Sequence, residues 1–132
     1  MKQLTIVSDD KVGLLADISY ILGKSRINIE AISVGVAGGK AIINLTIKDD
    51  ARASQLLGAS GYQVFASDVL VIKIPDTPGE LARISKLLAD EGINIENVHI
   101  LAKGEGFVLD SIKVDKGAKA SKLLAPYLNI ES

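Results

Sequence analysis

The sequence predicts two tandem α+β units, each with the order β-α-β-β-α-β, an antiparallel sheet and its helices on one face. The main observation is an internal repeat: 11 of 21 positions are identical between residues 10–30 and residues 76–96. A second repeat matches ARASQLL (51–57) with AKASKLL (118–124). Solenoid repeats have periods of roughly 20–50 residues, so this longer period indicates two small complete folds.

The first half begins with a strand around Leu4 and Ile6, where apolar and polar residues alternate up to Ser8. An apolar stripe at helical spacing, which includes Ile18 and Leu22, predicts a helix over the following residues. The glycines at 38–39 predict a hairpin, because primed turns require a positive φ. The other predicted elements are strands at 27–36, 41–47 and 62–65 and a helix at 51–57.

The second half repeats this order. Thr77, Pro78 and Glu80 fit a capping box, with Thr77 as the N-cap of the helix. A hairpin at 104–106 is predicted to be one residue longer than its counterpart, which would explain the changed offset of the second repeat. The inner stripe of the helix is predicted to comprise Leu81, Ile84, Leu87 and Leu88. The other predicted elements are strands at 69–74, 93–102, 107–114 and 128–130 and a helix at 118–125 that Pro126 ends.

The predicted order is that of the ferredoxin-like fold, with two helices on one face of a four-stranded antiparallel sheet. We assign residues 1–67 to a first domain and residues 68–132 to a second. No linker sequence separates the two halves, so we expect the domains to pack side by side, because a unit this small has a marginal core on its own.

Composition excludes several classes of protein. The 15 basic and 16 acidic residues are balanced, which argues against binding to nucleic acid or to an anionic membrane. Zero cysteines exclude disulfides and thiolate metal sites. The N-terminal residues lack the apolar core of a signal peptide, so a cytoplasmic location is expected. We predict no cofactor and no metal.

Catalytic groups are not evident in the sequence. The single histidine, His99, falls in a predicted strand and is interpreted as a solvated residue. The serines lack a nearby general base, and an acylphosphatase would need an arginine in the first loop, where only Lys11 is basic. We therefore predict that the protein is not an enzyme.

The most strongly repeated segments are the D-x-x-G turns, 10–13 and 76–79, and the I-N-I-E steps, 27–30 and 93–96. With the predicted topology, they make the chain resemble the ACT family of small regulatory domains, as two ACT units in tandem. The resemblance implies regulation by a small molecule, most often an amino acid. It also implies that units pair into a continuous sheet and bind the ligand at their seam.

The candidate ligand-binding positions are carried over from the family's motifs. A helix N-terminus offers unpaired N–H groups to a carboxylate, and an asparagine offers both a donor and an acceptor to a zwitterion. Asp10 and Asp76 could accept from an ammonium group, or could instead be N-caps or turn formers. The asparagines could instead close local turns. The candidates are Asp10, Val12, Gly13, Leu14 and Asn28 in the first unit and Asp76, Pro78, Gly79, Glu80 and Asn94 in the second.

Two functions remain open at this stage. The first is an allosteric amino-acid-binding regulatory module, which forms a homodimer through its sheet edges. The second is a regulatory or scaffolding subunit that binds a partner enzyme through a sheet edge or helix face and has no ligand of its own. If only one unit binds the carboxylate, we expect it to be the first, because the predicted capping box would occupy the helix N-terminus of the second.

Overall fold

The computed structural model describes residues 2–128 of the chain, which divides into two compact units, residues 1–67 and 68–132. Each unit is an antiparallel sheet with helices on one face, so the predicted fold class is confirmed. In unit 1 the sheet order is β2-β3-β1-β4. Its elements are β1 (Lys2–Asp9), α1 (Leu14–Lys24), β2 (Ala31–Ala37), β3 (Lys40–Ile47), α2 (Asp50–Ala59) and β4 (Gln63–Phe65).

Unit 2 has a sheet of three strands within the described residues, in the order β5-β7-β6. The predicted last strand is wrong at Leu128, which is helical, and its residues 129 and 130 lie outside the described part. Pro126 lies inside a short helix that contacts β5, rather than only ending the preceding helix. The elements are β5 (Val69–Pro75), α3 (Glu80–Asp90), β6 (Ile95–Gly104), β7 (Phe107–Val114), α4 (Gly117–Leu123) and α5 (Ala125–Leu128).

The core of each unit lies between its sheet and its helices. In unit 1, Ile18 and Leu22 of α1 are fully buried, and in unit 2 the matching residues are Ile84 and Leu88. The predicted apolar stripes are too wide: Leu81 and Leu87 are exposed, as is Leu15 on α1. These residues flank the buried line of the helix, and a sheet this small covers only the centre of the stripe.

The predicted longer hairpin in unit 2 is also wrong. The turns of both hairpins contain two residues, Gly38–Gly39 in unit 1 and Glu105–Gly106 in unit 2. The pairing register instead skips Leu101, between Ile100 and Ala102, so the additional residue forms a bulge in β6. The inserted residue therefore bends an edge strand and leaves the turn unchanged.

Strand β2 lies at an edge of its sheet and exposes an apolar row. Ile32, Val34 and Val36 are each more than 40% exposed. Their cross-strand partners on β3 belong to the buried core, so the row lies on the helix face of the sheet, beyond the area that the helices cover. The partners are Leu45, Ile43 and Ala41.

Candidate functional site

The D-x-x-G loops of the two units have the same backbone geometry. Gly13 and Gly79 adopt the left-handed conformation, with φ of 83° and 89°, and each is the N-cap of the helix that follows. No side chain caps either helix. In α1 the N–H groups of Leu15 and Ala16 have no backbone partner among the described residues. Such N–H groups are suited to an anion.

The predicted capping box is wrong. Thr77 is not the N-cap, because the chain turns at Gly79 and the Thr77 carbonyl accepts from the Glu80 N–H at 3.4 Å. The Glu80 carboxylate pairs with Arg83 at 2.6 Å instead of reaching back to the backbone. The equivalent turn in unit 1 has the same form. The expected difference between the two helix N-termini therefore has no basis in a cap.

Each loop is attached to the hairpin of its own unit. The Asp10 N–H donates to the Gly39 carbonyl at 3.0 Å, and the Asp76 N–H donates to the Gly106 carbonyl at the same distance. The sequence does not predict this contact. The hairpin turn therefore forms one side of each candidate site.

The other loop candidates differ in what they can offer a ligand. Val12 is fully exposed. Asp10 and Asp76 are also exposed, and neither caps a helix. Pro78 is also exposed. Leu14 is 5% exposed and packs in the core, so only its backbone can contribute to binding.

The asparagine candidates lie far from the loops of their own units. Asn28 follows the end of α1, and Gly13 precedes its start, so the 11-residue helix separates them by about 16 Å. Asn94 stands in the same relation to Gly79 across α3. Both asparagine side chains are exposed. The Asn94 backbone pairs with Asp115, whose carboxylate accepts from its N–H at 2.9 Å.

The surroundings of the two loops differ in charge. Next to the first loop, Lys40 Nζ donates to Asp9 Oδ1 at 2.6 Å. The hydrogen bond from Lys40 and its charge hold the pKa of Asp9 below the usual value. Next to the second loop the corresponding residues are Pro75 and Phe107. Lys73 Nζ lies 4.6 Å from the centroid of the Phe107 ring.

Outside these loops, unit 2 has a cleft of about 250 Å³ between α3 and α5. Its charged side chains are already paired: Arg83 with Glu80, and Lys86 with Asp90 at 3.1 Å. Among residues 2–128 there is no cluster of three or more acidic or histidine side chains that could hold a metal ion. No helix in that range is long and apolar enough to cross a membrane. His99 is exposed on β6.

The ACT domain family model matches residues 2–59 and 69–121, and the chain belongs to this family. No curated protein matches the sequence. Solved structures similar to this chain include a protein from Bacteroides thetaiotaomicron that is 27% identical in sequence, with a TM-score of 0.49. The alignment covers 95% of this chain and 86% of that protein. The ligand-free regulatory subunit of aspartate kinase from Thermus thermophilus is 21% identical, with coverages of 97% and 92% and a TM-score of 0.45. The small subunit of acetolactate synthase from Thermotoga maritima is 13% identical, with coverages of 95% and 84% and a TM-score of 0.43.

Proposed function

We propose that this chain is a non-catalytic regulatory module that binds a small amino acid at a seam between ACT units and signals through altered packing or association. The observation that carries the proposal is the pair of uncapped helices that follow left-handed glycines, in a chain of the ACT family. Each helix start offers backbone N–H groups and a partial positive charge to a carboxylate.

The chemistry of each loop suits a zwitterion. The N–H groups of Leu15 and Ala16 would bind the carboxylate, and the exposed Asp10 carboxylate would accept from the ammonium group. In unit 2, Leu81 and Ala82 occupy the corresponding helical positions and Asp76 the acidic one. Gly13 and Gly79 have no atom within 4 Å of a Cβ built on them, so a ligand can approach the backbone there.

A site that also uses an asparagine requires two units. Within one unit, α1 separates Asn28 from its loop by about 16 Å, which exceeds the length of a small amino acid. The loop of one unit and the asparagine of another would have to meet. A ligand at such a seam would favour one packing of the units over another, which is the basis of a two-state switch.

The exposed row on β2 supports association into a homodimer. Ile32, Val34 and Val36 form an apolar row on an edge strand, and an edge strand has unpaired backbone groups that a second strand can use. The same row also suits the second candidate function, a scaffolding subunit that binds a partner enzyme and has no ligand of its own.

A thermal-shift screen of the full chain against the twenty amino acids tests the proposal. A ligand that binds only the folded protein raises its stability by about 2.7 kcal/mol at a concentration 100 times the dissociation constant. We expect a clear rise in Tm with one or a few amino acids. No rise at millimolar concentrations, with co-purification of an enzyme, would favour the scaffolding subunit.

A further inference from the structure

Asp110 is an acidic residue on the core face of the unit 2 sheet. It lies on β7 between Val108 and Ile112, and all three side chains point to the same face because residues alternate along a strand. Ile84 and Leu88 of α3 cover that face. Asp110 is only 3% exposed.

The Asp110 carboxyl has no hydrogen-bond partner for its buried Oδ1 among the described residues. Its cross-strand neighbours are apolar, Ile72 on β5 and Ile100 on β6. In unit 1 the equivalent strand position is Ile43, which pairs with Ile6 and Val34 and is fully buried. Unit 2 therefore contains a carboxyl group where unit 1 contains a core isoleucine.

The charged groups of the surrounding elements leave the carboxyl without a direct partner. The positive charge of Lys103, an exposed residue on β6, lowers the pKa of Asp110 and so opposes the effect of burial. On β5, Lys73 lies over the Phe107 ring. On β6, His99 is opposite Ser111, on the other face of the sheet. On α3 the charged residues form the pairs Glu80–Arg83 and Lys86–Asp90. At the start of α4, Lys116 and Lys119 donate to the carbonyls of Gly92 and Glu91, and Lys122 near the end of this helix is exposed. On α5, Tyr127 lies beside Arg83.

We propose that Asp110 is a proton-sensitive switch that makes the stability of unit 2, and of its β6 edge in particular, fall as the pH rises. The folded unit accommodates a neutral carboxyl between two isoleucines more readily than a charged one, because burial penalises the charge. When the proton leaves, the charge is stabilised only by exposure to water or by Lys103. Movement of β6, the edge strand that contains the bulge at Leu101, would supply both.

The direction of the effect follows from proton linkage. Burial raises the pKa of Asp110 above its ordinary value of 3.8, and the positive charge of Lys103 partly opposes this rise. The unfolded chain therefore releases this proton at a lower pH than the folded chain does. The contribution of Asp110 to stability is greatest below about pH 4 and declines as the pH rises through the folded pKa.

Urea unfolding of the full chain between pH 4 and pH 8 tests the proposal, with Asp110→Asn, Asp110→Ile and Lys103→Gln as variants. At each pH, we divide the folding equilibrium constant of the wild type by that of Asp110→Asn. The pH dependence that comes from all other groups cancels in this ratio. We expect this ratio to fall as the pH rises across the range, because the folded chain keeps this proton to a higher pH than the unfolded chain does. The loss of stability with rising pH should be larger in Lys103→Gln than in the wild type. It should be absent from Asp110→Ile, which has the residue of unit 1, Ile43, at this position.

Carbon-13 NMR of the wild-type carboxyl groups gives an independent result that does not depend on the variants folding. We expect the pKa of the Asp110 carboxyl to lie above the ordinary value of 3.8. The proposal would be overturned by parallel pH profiles of stability for the wild type and Asp110→Asn, or by an Asp110 pKa at or below the ordinary value of 3.8. Hydrogen exchange of the β6 amides should increase with ionisation beyond the intrinsic pH dependence, and unchanged protection would also contradict it.

Discussion

At the scale of single residues, the candidate site depends on two backbone positions that favour glycine. Gly13 and Gly79 have φ of 83° and 89°, a region that other residues enter at a cost. The turn at each glycine directs the chain from the end of a strand into a helix without a capping side chain. Among the described residues, N–H groups at the start of each helix therefore have neither a backbone partner nor a side-chain cap and remain available to a ligand.

The first prediction concerns the cost of replacing Gly13. Gly13→Ala should destabilise the chain by about 1–2 kcal/mol, because alanine is strained in the left-handed region. Gly23→Ala is the matched control, because this glycine lies within α1 and a Cβ there would meet no atom within 4 Å. Alanine at this helical position should increase the free energy of unfolding by as much as about 1 kcal/mol. Urea unfolding measures both changes. Equal effects of the same sign would show that the turn does not require glycine.

The second prediction concerns the phenol of Tyr62. Burial and the hydrogen bond that its hydroxyl donates to Asp17 raise the pKa of Tyr62 to about 12. Its contribution to stability should therefore be lost as the pH rises from about 10, the usual value, to about 12. Absorbance titration should show one phenol that ionises only at high pH. Tyr62→Phe should remove this ionisation, and Asp17→Asn should shift it to lower pH. A titration that Asp17→Asn leaves unchanged would contradict the assignment.

Sequence predicted some of these residues and missed others for identifiable reasons. The repeat located Gly13 and Gly79, because identical loops in two copies mark a shared backbone requirement. The pattern of Thr77 and Glu80 fitted a capping box, but it could not show that the chain turns at Gly79. Asp110 alternates in phase with Val108 and Ile112 along β7. The alternation in the sequence was therefore enough to place this carboxyl on the core face of the sheet.

At the scale of elements, the second helix of each unit begins differently. In unit 1 the Asp49 carboxylate accepts from the Arg52 N–H at 3.3 Å and caps α2. In unit 2 the N-cap of α4 is Lys116, which makes no side-chain cap and donates instead to the Gly92 carbonyl at 2.6 Å. The two units therefore hold their second helices in place by different contacts.

The third prediction follows from the Asp49 cap. Asp49→Ala should destabilise the chain by about 1 kcal/mol, while Asp49→Asn, which keeps an acceptor oxygen, should cost much less. Thermal unfolding at neutral pH measures both. If the two variants lost the same stability, the ion pair of Asp49 with Arg52, at 3.9 Å, would be the relevant interaction instead of the cap.

The fourth prediction tests association through the β2 edge. Val34→Lys places a charge in the exposed apolar row and should convert a homodimer into monomers without unfolding the chain, because Val34 is 42% exposed. Ser33→Lys is the control, since Ser33 is exposed on the same strand but points to the other face of the sheet. Sedimentation equilibrium measures the mass. A mass that Val34→Lys leaves unchanged would exclude this row as the interface.

Most elements could be predicted from sequence, and the exceptions share a cause. Alternation and helical spacing located α1, β3 and β7 well, because each strand or helix has a buried side. The I-N-I-E step predicts the start of β2 at Ile27, but β2 begins at Ala31. Ile27 is 7% exposed, and its N–H donates to the Leu22 carbonyl at the end of α1. Tertiary contacts determine where such elements begin, and the periodicity of apolar residues in the sequence carries no information about those contacts.

At the scale of the whole molecule, duplication produced two units with the same loop backbone and different surroundings. The first loop lies next to the ion pair of Asp9 with Lys40, and the second next to Phe107. Because neither helix start is capped, we expect both loops to be able to bind, with different preferences for the ligand side chain. The sequence predicts that, if only one unit binds the carboxylate, it is the first, and the absence of a cap in unit 2 removes the reason for that preference.

Isothermal titration calorimetry with the amino acid that raises the Tm most tests this account directly. The fifth prediction is that the wild-type chain releases or absorbs heat on binding, and that Gly13→Val and Gly79→Val each weaken binding, because both place a side chain at a strained turn beside free N–H groups. Gly23→Ala, with its loops intact, should bind as the wild type does. Wild-type affinity in both valine variants, with the fold retained, would contradict binding at the D-x-x-G loops.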